Sequence, residues 1–205
     1  MGKALTPLLL LLGAACSNSD NAIFGAIPPS DITPPIEWDD IGSSISGRVG
    51  LSDAAGNPLG IDAQVVIMTD RPGLCAKLQQ QPDYFRNPTE AYLALILFLP
   101  ANDHLGTFLP GRGGDEGTGS EIIGSDPSRW QPSIDATGGP LAPFRAVDAG
   151  YITLSDWTET TEGETRGTFS LVYAVPPPLV SVQGFVFSGK FKASGCPGMN
   201  AALLP

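Results

Sequence analysis

The sequence is poor in the residues on which most catalytic and metal sites depend. It contains one histidine and three cysteines, and charged residues make up only 16% of the chain. A zinc site needs three or four protein ligands, and neither a CxxC pair nor an HExxH motif is present. A GxSxG elbow, a Walker A loop and an EF-hand loop are absent too. We therefore predict a protein with no catalytic residues, no metal site and no cofactor.

Positive charge is also scarce. The chain has 11 lysines and arginines against 21 aspartates and glutamates, a formal net charge of −10. Affinity for nucleic acid depends on neutralising phosphates, so this balance argues against nucleic acid as a partner. It equally disfavours peripheral attachment of the whole surface to anionic lipid headgroups. The simplest role of such a charge is to keep an exported domain soluble.

The N-terminus has the features of an export signal. Lys3 precedes an almost wholly apolar run at residues 5–12, and small residues lead into Cys16. This pattern predicts a signal peptide over residues 1–15, and the run is too short to span a bilayer, which takes about 20 residues. Leu12-Gly13-Ala14-Ala15-Cys16 resembles the bacterial lipobox, a resemblance that implies a lipid on the Cys16 thiol.

The lipobox family has Leu, Val or Ile three residues before the cysteine, where this chain has Gly13. Ordinary secretion, to the periplasm or the medium, is therefore the alternative. Ser17 resembles the residue that sorts lipoproteins to the outer membrane of enteric-type bacteria. The resemblance implies a cell-envelope protein held to a membrane by covalent lipid, with the outer membrane favoured.

The two remaining cysteines form an even pair in a chain that carries an export signal. Disulfides persist in oxidising compartments outside the cytosol, so we predict a bridge between Cys75 and Cys196. On the chain-entropy model, closing a loop of this length stabilises the fold by about 4–5 kcal/mol.

Composition divides the mature chain into two parts. Residues 16–44 contain two Pro-Pro pairs and no sustained apolar period, which predicts a lipidated N-terminus followed by a flexible linker spanning about 30 Å. Several apolar residues are unusual for a spacer, and Trp38 is the predicted point at which the linker docks on the domain. Residues 45–205 are predicted to form the domain.

Strand signals dominate residues 45–205. The segments with alternating or continuous apolar character are 45–51, 63–69, 92–99, 106–109, 149–157, 165–173 and 179–192. One short helix is predicted over residues 72–81, and residues 111–139 are predicted to be an irregular, mobile loop. Seven or eight mainly antiparallel strands joined by Gly- and Pro-rich turns predict an all-β sandwich, with a closed β-barrel as the alternative.

The start of this domain resembles a known family of modules. Ile45-Ser46-Gly47-Arg48-Val49, then a turn rich in Gly, Asn and Pro, then Ala63-Gln64-Val65 are similar to the opening of carboxypeptidase-regulatory-like domains. The resemblance implies a small prealbumin-like sandwich that acts as a non-catalytic module.

Two alternative functions depend on specific polar residues. An envelope hydrolase requires Asp103-His104 with a serine such as Ser120 or Ser125, or an acidic pair such as Asp39-Asp40.

An adhesin requires oxygen ligands for calcium, for which Asp115, Glu116 and Glu121 are candidates, or an aromatic sugar platform. The candidates for that platform are Trp130, Trp157 and Tyr151. We predict instead a non-catalytic binding or structural module whose partner is an envelope protein or a glycan.

Overall fold

The fold is described from a computed structural model of the chain. The structure describes residues 20–27, 36–38, 40–52, 58–82, 84–85, 88–100, 105–110, 118–124, 144–157, 163–173, 184–197 and 199.

These residues form eleven strands and one short helix. In chain order they are β1 (Ala22–Phe24), β2 (Ala26–Ile27), β3 (Ile36–Glu37), β4 (Ser43–Ser52), β5 (Pro58–Thr69), α1 (Leu74–Gln80), β6 (Leu93–Pro100), β7 (Gly106–Phe108), β8 (Gly119–Gly124), β9 (Phe144–Asp156), β10 (Glu164–Tyr173) and β11 (Phe185–Gly195). Within these residues, the structure has no helix that is both long and apolar enough to cross a membrane. The prediction of an all-β fold with one short helix is confirmed.

Nine of the strands belong to one sheet. Its order is β1-β11-β10-β9-β8-β6-β5-β4, with β7 paired to β9, while β2 and β3 form a separate two-stranded sheet. All pairings are antiparallel except that of β11 with β4, which is parallel and joins only Ser194 to Ile45 and Gly195 to Ser46. The sheet folds over in a sandwich-like manner, and β11, the neighbour of the end strand β1, touches β4 at the other end over these two residue pairs. It is not closed into the barrel that was the alternative prediction.

The alternation of side chains explains how this sheet makes a core. In β10, Thr165, Gly167, Phe169, Leu171 and Tyr173 are buried, and the residues between them are exposed or half-buried. Successive side chains of a strand point to opposite faces of the sheet. The period of two visible in the sequence therefore identifies correctly which face of β10 points inward.

The main core lies between the two halves of the folded sheet. It joins Val66 and Leu97 from β5 and β6 to Phe169 and Phe187 from β10 and β11. A second core lies on the outer side of β4, β5 and β6, where Val65 and other strand residues pack against α1 and neighbouring segments. β5 and β6 are therefore buried on both faces, and for β6 this agrees with the continuous apolar run at 92–99.

The loop predicted over residues 111–139 contains a strand that the sequence analysis missed. β8 lies between β6 and β9 and buries Ser120, Ile122 and Ile123. Glycine residues flank only two β-branched apolar residues here, so the local pattern is that of a loop. Pairing on both sides supplies the order that local propensity lacks.

The N-terminal residues also contribute more than the sequence predicted. Ile23 is buried in the main core, and β1 pairs with Ser188, Gly189 and Lys190 of β11. Trp38 is buried as well, with its ring 6.4 Å from that of Phe187. The described parts of the segment predicted to be a flexible linker therefore pack on the domain, which begins well before residue 45. Their apolar side chains bury area that a spacer would leave in water.

Candidate functional site

The predicted disulfide joins the helix to the end of the last strand. The Cα atoms of Cys75 and Cys196 lie 5.6 Å apart and their sulfur atoms are bonded, which confirms the pair. Cys75 is in the first turn of α1, and Cys196 directly follows β11. The backbone N–H of Cys196 donates to Ser46 O in β4 (2.8 Å). The bridge therefore fixes α1 beside the contact between β11 and β4.

The helix belongs to a cap that covers one outer face of the sheet. We call the outer face of β4, β5 and β6 the capped face, and the cap consists of α1, residues 84–85, Tyr92 and Met199. Leu74 and Leu78 are four residues apart, so they share one face of α1 and are buried together. The cap leaves the apolar residues on that side of β5 and β6 almost inaccessible to water.

The polar groups of the cap are bonded to one another. The Tyr84 hydroxyl donates to Glu90 Oε1 (3.1 Å), Lys77 Nζ donates to the same oxygen, and the Tyr92 hydroxyl donates to Phe85 O (2.9 Å). The bond from Lys77 is the main cause that lowers the pKa of Glu90, while burial raises the pKa of Tyr84. This cluster is satisfied internally, so we interpret it as structural.

The other outer face of the sheet has no such cap in the described part of the chain. We call the outer face of β7, β9, β10, β11 and β1 the open face. In one row across it, Tyr151 lies opposite Ser170, Ser170 opposite Ser188, and Ser188 opposite Phe24. Val186 lies two residues from Ser188 on the same side of β11. This row places an aromatic ring on each side of two serines.

Every large apolar side chain that is exposed in the described residues belongs to the open face. They are Phe24 (63% exposed), Leu105 (61%), Leu109 (54%), Val186 (51%) and Tyr151 (44%). Residues 105, 107 and 109 are all exposed while Phe108 is buried, which places the two leucines on the outer side of the β7 segment. Single exposed apolar residues are ordinary, whereas a group on one face indicates a contact surface.

Charged groups occupy one end of the open face. Lys192 Nζ lies 3.2 Å from Asp20 Oδ2 and 3.1 Å from Glu164 Oε1, and Arg166 pairs with Glu164 at 2.7 Å. The hydrogen bonds from Arg166 and Lys192 lower the pKa of Glu164. Lys190 is exposed and forms no ion pair with any described residue. The carboxylates of Asp20 and Glu164 are therefore paired with cations. Lys190 adds a positive charge at this end, and the exposed Asp156, opposite Arg166, adds a negative one.

The N-terminal strand is fastened to the edge of the open face. Asn21 Oδ1 accepts a hydrogen bond from Lys192 N (2.8 Å), and Ile23 inserts into the main core. Gly25 has φ +132°, and a Cβ on it would lie 2.4 Å from Val186 O. A glycine is required here because the chain turns away from β11 in close contact with its backbone. β1 is thus held by side chains as well as by its ladder.

The serine proposed for a hydrolytic site is buried in the main core. Ser120 Oγ donates to Ile96 O (2.8 Å) and lies 2.6 Å from the Tyr173 hydroxyl. Its segment is a paired strand, so the expectation that it is mobile is wrong. A buried hydroxyl committed to two partners is poorly placed to attack a substrate. Asp103, His104 and Ser125 lie outside the described residues.

The other candidates are not brought together where the structure describes them. Glu121 is half-buried in β8, whereas Asp115 and Glu116 lie outside the described residues, and no group of three potential metal ligands occurs within them. Asp40 is exposed, and Asp39 lies outside the described part.

Tyr151 is exposed on the open face and Trp157 follows β9, while Trp130 is outside the described residues. The lipidation candidate, Cys16, is outside them too.

Sequence reasoning missed the two most informative residues, Phe24 and Val186. Phe24 was placed in the linker, and Val186 lies between two buried phenylalanines in an apolar run. The alternation of side chains along a strand was the available signal for Val186. If Phe185 and Phe187 point inward, Val186 between them must point outward.

Comparison with known proteins identifies no relative. No family model matches the chain, and neither curated proteins nor solved structures include a significant match. The resemblance to carboxypeptidase-regulatory-like domains therefore rests on residues 45–65 alone.

Proposed function

We propose that this chain is the precursor of a bacterial lipoprotein of the cell envelope, cleaved before Cys16 and anchored to a membrane by lipid on that thiol. The β-sandwich that follows acts as a non-catalytic binding or structural module. The outer membrane is the favoured location because of Ser17. The open face, with its group of exposed apolar residues, is the surface through which the module makes contact.

The observation that carries this proposal is the distribution of the three cysteines. Cys75 and Cys196 are bonded to each other, which leaves Cys16 as the one cysteine outside the bridge. Disulfides are rare in the cytosol, so a bridge across the domain supports export. Export agrees with the basic start, the apolar run and the small residues before Cys16.

The test is to label growing cells with a fatty-acid analogue and to compare two variants. Cys16→Ser is expected to lose the label and either to leave the membrane fraction or to keep its signal peptide. The matched control, Cys75→Ser with Cys196→Ser, removes the other two cysteines and is expected to keep the label. A mature wild-type protein that is unlabelled and fully soluble would refute the proposal.

A further inference from the structure

We propose that the open face lies against the lipid bilayer, with Phe24 and Val186 inserted among the lipid headgroups. The domain would then rest on the membrane in one orientation, with its cap directed away. This inference rests on the proposed lipid at Cys16 and adds to it a surface, an orientation and a partner.

The exposed apolar side chains are placed where a membrane could receive them. All five belong to the open face, and Phe24 and Val186 lie on neighbouring strands. A phenylalanine and a valine partition into the boundary between headgroups and acyl chains, and tyrosine is enriched at that depth. Tyr151 lies in the same row as Phe24, three strands away, or about 14 Å at the usual strand spacing. A flat bilayer can contact residues over such a distance.

The chain between the proposed anchor and the sheet is short. Ala22, the first residue of β1, is the sixth residue after Cys16. Six residues reach at most about 20 Å when fully extended. β1 cannot move independently to lengthen this reach, because Ile23 is buried and Asn21 is bonded to β11. The lipid therefore holds Phe24 close to the bilayer surface.

The charge near β1 differs from that of the chain as a whole. The chain has a net charge of −10, and an acidic surface is repelled by anionic headgroups. On the open face, the carboxylates of Asp20 and Glu164 are paired with Lys192 and Arg166. Lys190 lies opposite Ala22 and is exposed. Its ammonium group is within reach of lipid phosphates when the apolar residues beside it insert.

A protein could also bind the open face. The short tether between Cys16 and β1 favours the bilayer instead. A short tether gives the bilayer a high effective concentration at this face, whatever the affinity of the contact. A protein partner would have to displace it. The cap covers the outer face of β4, β5 and β6, which is the other half of the folded sheet from β1.

The experiment uses the full-length lipidated protein, reconstituted into vesicles of phosphatidylethanolamine and phosphatidylglycerol. The photoreactive residue p-benzoylphenylalanine replaces Phe24 or Val186, and in the matched control it replaces Gln80, which is exposed on α1. After irradiation, mass spectrometry measures lipid adducts at each position. We expect several-fold more adducts at 24 and 186 than at 80. Thermal unfolding verifies that each labelled protein is folded.

A second variant tests whether insertion depends on apolar side chains. Phe24→Asp is expected to lower the adducts formed at position 186 several-fold, whereas Gln80→Asp leaves them unchanged. Since residue 24 is exposed, its substitution should leave the melting temperature within error of the wild type. Unchanged adducts at 186 would overturn the insertion of Phe24.

The outcomes separate this inference from the proposal on which it rests. Lipidated protein that forms adducts equally at 24, 186 and 80, or at none of them, overturns the orientation and leaves the lipoprotein proposal intact. Cross-links from position 24 to another protein chain overturn the bilayer as occupant. Absence of lipid on the N-terminus of the purified protein overturns the lipoprotein proposal itself.

Discussion

The two outer faces of the sheet differ in how far their apolar side chains are exposed to solvent. On the capped face, Val65, Ile67 and Ile96 are fully buried beneath α1 and the segment around Tyr84. On the open face, the corresponding outward positions hold Thr168, Ser170 and Ser188, with exposed Phe24 and Val186 among them. One face is a second core, and the other is a surface available for contact.

This difference shows that the residue pattern of a strand depends on whether one or both of its faces are buried. β6 has the sequence Leu-Ala-Leu-Ile-Leu-Phe-Leu-Pro, with apolar residues at both parities, because the main core and the cap each require a face. From Thr165 to Leu171, β10 has polar residues at its outward positions, because only its inner side is covered in the described part of the chain. Where a strand of the open half departs from alternation, as β11 does at Val186, the departure indicates a contact surface.

The largest effect is expected from removing the disulfide, which connects the cap to the end of β11. Cys75→Ser with Cys196→Ser should lower the free energy of unfolding by about 4–5 kcal/mol, since the bridge closes a long loop of the unfolded chain. Urea unfolding of the oxidised protein and the variant measures this. Hydrogen exchange should show greater loss of protection in α1 than in β9 or β10. A uniform loss would mean that the cap is not a separate stabilising unit.

The next effect compares matched positions on the two faces. Ile96→Ala should cost about 2–5 kcal/mol, because the side chain is fully buried beneath the cap and its removal leaves a cavity. Val186→Ala on the open face should cost less than about 0.5 kcal/mol. Urea unfolding of the two variants measures these changes in the free energy of unfolding, which follow from the midpoints if the m-values are unchanged. Similar costs would mean that the open face is covered in the free protein.

A smaller effect is expected from the buried hydroxyl pair in the main core. Ser120→Ala leaves the Tyr173 hydroxyl without its partner in a dry environment, which should cost about 1–3 kcal/mol. Tyr173→Phe leaves Ser120 bonded to Ile96 O and should cost about 1 kcal/mol. The contrast is measured by thermal and urea unfolding. If Tyr173→Phe is the more costly change, the Ser120–Tyr173 hydrogen bond is not the main stabilising contact here.

The smallest expected effect is the pH dependence of stability that the buried tyrosines cause, which appears only at alkaline pH. Burial raises the pKa of Tyr84, Tyr92 and Tyr173 above the usual value of about 10. The unfolded chain ionises first, so their contribution to stability is complete below about pH 10 and is lost as the pH rises towards the raised values. In an alkaline titration, phenolate absorbance reports ionisation and circular dichroism reports unfolding. We expect the three tyrosines to ionise only as the protein unfolds. Three such phenolates in a folded protein would contradict their burial.

Much of the fold was predictable because its signals are local. The alternation in residues 165–173 and the apolar run at 92–99 identify a one-sided and a two-sided strand without reference to the rest of the chain. The helix was predictable from Leu74 and Leu78 at a spacing of four residues. The disulfide was predictable because two cysteines remain once Cys16 is assigned to the predicted export signal, and an even pair favours a bridge.

The remainder was decided by contacts between residues distant in sequence. β8 has weak strand propensity and is ordered by pairing with β6 and β9. Trp38, by contrast, was predicted to dock because it is one of several apolar residues that are unusual in a spacer, and it is buried in the structure.

What the sequence determined by itself is the alternation of apolar and polar residues, the cysteine pair and the signal-like N-terminus, since each depends on residue identity within a short span. Only the tertiary structure decided that β1 belongs to the main sheet and that Phe24, Tyr151 and Val186 share one face, which the described residues leave exposed. The physical reason is that strand order and register are set by long-range pairing, which no local pattern encodes. That pairing also determines the position of α1, and therefore which outer face of the sheet is capped.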